Sequence, residues 1–149
     1  MQGFLFDSNL WIAIAFDGHG SHALAMEVLS EASHEHPVYF CRSIEQSVLR
    51  LLSTASLAQL YGSSIINNHE AIRLLEIWKL EPHIAFLDEP SETRSLWLQL
   101  SDRNTASPKL WMDAYLAAFA ISGNLRFVTN DKAFRQFEAA GLDLHLINI

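Results

Sequence analysis

Five short apolar runs, spaced so that helical patterns fall between them, constrain the fold of this chain more than any other feature. They are Gly3-Phe4-Leu5-Phe6, Pro37-Val38-Tyr39-Phe40-Cys41, Ile84-Ala85-Phe86-Leu87, Arg126-Phe127-Val128-Thr129 and residues 142–147. Each is too short for a helix and largely without polar alternation, as expected of strands covered on both faces. Helical spacing predicts helices over residues 10–16, 21–32, 43–53, 70–79, 91–100 and 109–122, with a short one at 132–137. Strands that return through helices run parallel, because a parallel return needs a crossover. The expected fold is α/β, with helices around a mostly parallel five-stranded sheet, in one domain over residues 1–149.

Finer expectations follow from local chemistry. Ser8 or Asn9 is expected to cap the first helix and Ser91 a later one, through side-chain oxygens. Gly123 should end the helix over 109–122. Ala23, Met26, Leu29 and Ala25 are expected to face inward from residues 21–32. Trp11, Trp78, Trp97 and Trp111 sit in helical patterns and are expected in the core, while the polar stretch 54–68 is expected to be a loop.

Four acids stand where strands hand over to helices or helices begin. Asp7 follows Phe4-Leu5-Phe6, Glu45 comes just after Val38-Tyr39-Phe40, Asp113 opens the helix over 109–122, and Asp131 follows Phe127-Val128-Thr129. The ends of parallel strands converge on one edge of an open sheet, where ligand sites form. Carboxylates gathered there repel one another unless a hard divalent cation sits among them. Singly, three have plain structural readings: Asp7 and Asp131 as helix caps, Glu45 as a first-turn partner of the helix dipole. Asp113 is harder to account for. It interrupts an otherwise apolar helix, where a charge is costly unless it partners the helix dipole in the first turn, pairs with Lys109 at i,i+4, or binds metal. Asn9 suits the orienting of a neighbouring carboxylate, and Thr129 and Asn130 are placed to shape the same pocket. The coincidence of all four favours a metal site.

Other chemistries find no footing. The single cysteine, Cys41, allows neither an internal disulfide nor a zinc pattern, and no His-x-x-x-His pair lies on an apolar helix. There is no glycine-rich phosphate loop after a strand and no nucleophile elbow. No apolar run reaches the roughly 18–20 residues that span a bilayer. Met1-Gln2-Gly3 lacks the basic flank of a secretory signal, so a cytoplasmic protein without membrane contact is expected. The net charge of −7 argues against nucleic acid, but less so where carboxylates are metal ligands and the bound cation reverses the local field.

As a set, these segments resemble the PIN-domain nucleases, and more narrowly the VapC toxins of bacterial toxin–antitoxin pairs. The matching stretches are Phe6-Asp7-Ser8-Asn9-Leu10, Phe40-Cys41-Arg42-Ser43-Ile44-Glu45 with Leu49-Arg50-Leu51-Leu52, Ser107-Pro108-Lys109-Leu110-Trp111-Met112-Asp113-Ala114-Tyr115-Leu116-Ala117, and Phe127-Val128-Thr129-Asn130-Asp131-Lys132-Ala133-Phe134. The segment led by Trp111 is the most specific. The resemblance implies a PIN-like α/β/α sandwich with Asp7, Glu45, Asp113 and Asp131 as metal-binding and catalytic acids. It also implies an endoribonuclease dependent on Mg²⁺ or Mn²⁺, usually a homodimer held inactive by a small antitoxin. The chain departs from the pattern in two places: Asn130 stands where an aromatic residue is common, and Glu45 where relatives with the Cys-Arg segment often carry Gln. Alternatives are a PIN nuclease of RNA processing without an antitoxin, and a catalytically silent PIN-fold binding module.

Overall fold

The structure, a computed structural model, describes residues 1–148. Its sheet comprises β1 (Gly3–Phe6), β2 (Val38–Phe40), β3 (Ile84–Phe86), β4 (Leu125–Thr129) and β5 (Asp143–Leu146). They lie in the order β3-β2-β1-β4-β5, and every adjacent pair is parallel. The mostly parallel sheet expected from the sequence is wholly parallel. Seven α-helices accompany it among the described residues: α1 (Ser8–Ala15), α2 (His22–Leu29), α3 (Arg42–Leu52), α4 (Ala55–Leu60), α5 (Asn68–Lys79), α6 (Thr93–Ser101) and α7 (Leu110–Ser122). A 3₁₀ helix (Lys132–Ala140) precedes β5.

β1 occupies the middle because all four of its residues can be buried. Gly3 is needed at its start: a Cβ there would fall 2.4 Å from the Pro37 carbonyl oxygen. Beyond it, Trp11 of α1 stacks on Phe40 of β2 with ring centroids 4.3 Å apart and tilts against Phe6. These large rings tie the first helix to the two central strands.

From β1 the chain winds outward through β2 to β3, then crosses back to β4 on the other side of β1. The crevice between β1 and β4 is therefore the topological switch point, where open α/β sheets bind ligands at the strands' carboxyl ends. A helix entering a parallel strand runs back across the sheet, so α7 begins at that same edge before descending to β4.

Several local expectations are corrected. Residues 54–68 contain α4, which buries only Ala58 and so has no apolar stripe to read. Helix α2 buries Ala25, Val28 and Leu29, with Ala23 and Met26 exposed; the spacing fits two faces and the alternative was chosen by packing. Asp7, rather than Ser8 or Asn9, caps α1, and Glu92, rather than Ser91, stands at the start of α6 without a side-chain cap bond. Gly123 does end α7, as expected, but in a right-handed helical conformation, and the left-handed residue is Asn124 (φ 52°) after it. Trp11 is fully buried, Trp78 and Trp97 partly, and Trp111 is 49% exposed.

Candidate active site

Parallel pairing sets the register at the crevice. Phe6 lies opposite Val128, which brings Asp7, one residue on, beside Thr129. The buried Thr129 hydroxyl donates to Asp7 Oδ2 at 2.7 Å and accepts from the Asp131 amide at 3.1 Å. The Ser8 amide donates to Asp7 Oδ1 at 2.8 Å. One threonine thus orients the acid after β1 and the backbone of the acid after β4. Asp131 Oδ1 accepts from the Ala133 amide at 2.9 Å, capping the 3₁₀ helix.

Asp113 reaches the same place from the first turn of α7. Its carboxyl is raised above its ordinary value by burial, then by the charges of Asp131 and Asp7. Asp7 is raised too; burial is the main cause, opposed by its bonds to Thr129 and Ser8 and reinforced by the charge of Asp131. The three aspartates therefore share one electrostatic neighbourhood. Among the described residues no ion pair joins Lys109 to Asp113; Asp113 does lie in the first turn of α7, where a carboxylate suits the helix dipole. Lys109 instead lines the same cleft, a hollow of about 360 Å³ walled by Asp7, Ser8, Ser43, Ile44, Ser47, Met112, Asp113 and Leu116.

Glu45 is placed differently. It is 3% exposed, its Oε1 accepts from Arg42 Nη1 at 2.5 Å, and its Oε2 takes the Lys79 ammonium. Both cations lie over the Phe86 ring. The structure thus brings Asp7, Asp113 and Asp131 together and holds Glu45 in a separate ion-paired cluster. Lys79, the residue that holds it, carries no sequence signal beyond a basic group in a helix's last turn, 34 positions away.

Asn9 does not orient Asp7 as expected. Its amide nitrogen donates to Asn130 Oδ1, so the non-aromatic residue before Asp131 has a partner of its own. The Asn9 Oδ1 is buried without a hydrogen-bond partner. The carboxylates of Asp7, Asp113 and Asp131 are oxygen donors of the kind that suit a hard divalent cation. Among the described residues no three acid, His or Cys side chains stand tightly enough to grip one ion alone.

Fold and site together define an α/β enzyme with an oxygen-lined cleft at its sheet's switch point. The chain belongs to the PIN-domain family, on its VapC ribonuclease branch; the PIN-domain model matches residues 4–140. Ribonuclease VapC41 of Mycobacterium tuberculosis (strain CDC 1551 / Oshkosh) is 37% identical over 152 residues, covering 96% of this chain and 97% of that protein. VapBC2 from Rickettsia felis, solved bound to a DNA fragment from its promoter, superposes with a TM-score of 0.64 at 14% identity, covering 97% of this chain and 98% of its own. VapC20 of M. tuberculosis, a Sarcin-Ricin loop cleaving toxin, gives 0.63 at 15% identity, with coverage of 94% and 96%. At such identities these two structures support the fold. VapC-type PIN ribonucleases generally depend on a divalent metal. No described helix is long and apolar enough to cross a membrane.

Proposed function

We propose that this chain is a Mg²⁺- or Mn²⁺-dependent endoribonuclease, a single nuclease domain over residues 1–149. In this reading it acts in the cytoplasm as the toxin of a toxin–antitoxin pair, as a homodimer restrained by a cognate antitoxin. The observation that carries the reading is the meeting of Asp7, Asp113 and Asp131, from three separate elements, at the switch point of the sheet.

A bound divalent cation would supply Lewis-acid polarisation of the phosphate and acidify the attacking water. Asp7, Asp113 and Asp131 would hold it, with Thr129 and the Ser8 amide fixing the angle of Asp7. Glu45 would join them only on release from Arg42 and Lys79. Lys109, on the cleft wall, is placed to neutralise a phosphate oxygen. In the reaction the water oxygen bonds to phosphorus and the P–O3′ bond breaks, leaving a 5′-phosphate and a 3′-hydroxyl that takes up a proton.

The test is incubation of purified wild type and Asp113→Asn with total bacterial RNA in Mg²⁺, Mn²⁺ or EDTA. Discrete products that need both the metal and Asp113 are expected. Cleavage that survives EDTA or the substitution would sink the assignment.

A further inference from the structure

Beside the acid cleft lies a second hollow, of about 320 Å³, that the chemistry above does not use. Ser43 and Met112 line both, so the two adjoin. Trp111 and Met112 are 49% and 70% exposed, an unusual amount of apolar surface beside a polar site. The indole of Trp111 is braced from behind: the Trp97 ring meets it edge-on at 6.2 Å, and Trp97 Nε1 donates to the Trp111 carbonyl oxygen at 2.8 Å. Trp97 is held in turn against Tyr115, whose hydroxyl donates to Glu89. The result is a rigid aromatic wall with one ring left partly open.

Polar groups around the hollow match a nucleotide. Arg42, its side chain 73% exposed, gives one nitrogen to Glu45 and is anchored over Phe86, which fixes its remaining donors at the rim. The Gln46 amide lines the hollow and has no side-chain hydrogen bond among the described residues. Cations also flank the acids on the far side, where Lys132 and Arg135 line a hollow beside Asn130. With Lys109 in the middle, four of the chain's ten basic residues line hollows along one edge of an acidic protein. That is the pairing of a charged track with a stacking platform by which single-stranded nucleic acid is held.

Resting on the ribonuclease reading, we propose that this hollow is a nucleobase subsite. In it the unpaired base next to the cleaved phosphodiester stacks on Trp111, with Arg42 on the adjoining phosphate and Gln46 at the base edge. Duplex RNA is disfavoured there, because a base must leave its stack to enter.

The test uses a single-stranded oligoribonucleotide that wild type cleaves, with an abasic nucleotide placed at each position in turn. For wild type, one position beside the scissile bond should lose about tenfold or more in kcat/KM when its base is removed. Trp111→Ala should lose a similar factor on the intact oligonucleotide, mainly in KM, and become indifferent to the base at that position. Trp111→Phe should restore much of the effect, and Trp111→Leu, which keeps apolar bulk without a planar ring, should not. Circular dichroism of all three variants should match wild type. Equal cleavage by Trp111→Ala and wild type at every position would overturn the subsite and leave the aromatic wall for a protein partner. If wild type cleaves no RNA at all, the ribonuclease reading fails first, and the subsite with it.

Discussion

At the scale of single residues, Asp7 and Asp113 are strained by their own ionisation. Each is raised above its ordinary value of 3.8, with burial as the first cause and neighbouring aspartates as a further one. A carboxyl raised on folding binds protons more readily in the native than in the unfolded state. Its contribution to stability is therefore greatest below the unfolded value and declines as pH rises through the native one. In EDTA, Asp113→Asn should be more stable than wild type near neutral pH, by less than about 1 kcal/mol because water screens this half-exposed group. The advantage should shrink as pH falls toward 4, which thermal melts across that range would check; an advantage that grows toward acid would contradict the sign. Asp7→Asn is the poorer probe. It gives up one of two acceptors that Ser8 and Thr129 use, a loss on the order of 1 kcal/mol. The sequence located Asp7, Asp113 and Asp131 because strand ends and an apolar helix are local patterns. It did not reveal that Glu45 is held by Lys79, since that pairing exists only once α3 and α5 have packed.

At the scale of elements, the Glu45 cluster ties α3 to α5 and to the end of β3. Glu45 is almost fully buried and Lys79 mostly so, and removal of one member leaves the other without its charge partner. Glu45→Gln is expected to lower unfolding free energy by about 1–3 kcal/mol, opposite in sign to Asp113→Asn. Urea unfolding of the two variants side by side would check this; a neutral or stabilising Glu45→Gln would mean that Glu45 does not hold these elements together. The same scale explains which elements were legible. All five strands and the long helices announce themselves through runs or stripes of apolar residues. Helix α4 does not, because one buried alanine sets no period, and the face of α2 was chosen by its neighbours. Trp111 reads as core because its helix is apolar on nearly every side, yet α7 begins at the open edge of the sheet, where Trp111 and Met112 are exposed while Leu110 is buried.

At the scale of the whole molecule, the order β3-β2-β1-β4-β5 makes the site, because it sets β1 beside β4 and leaves a crevice where the chain reverses direction across the sheet. No local signal encodes that order, because it depends on which strands pair once the helices have packed. Three acids meet there, Asp7 more than a hundred positions before the other two, in a chain of net charge −7, and a divalent cation is the simplest means of reconciling them. The most direct measurement is Mn²⁺ binding followed by electron paramagnetic resonance on purified wild type, Asp113→Asn and Glu45→Gln. The account predicts Mn²⁺ binding by wild type, its loss in Asp113→Asn by tenfold or more (about 1.4 kcal/mol or more), and a much smaller change in Glu45→Gln. Undiminished Mn²⁺ binding by Asp113→Asn would contradict it.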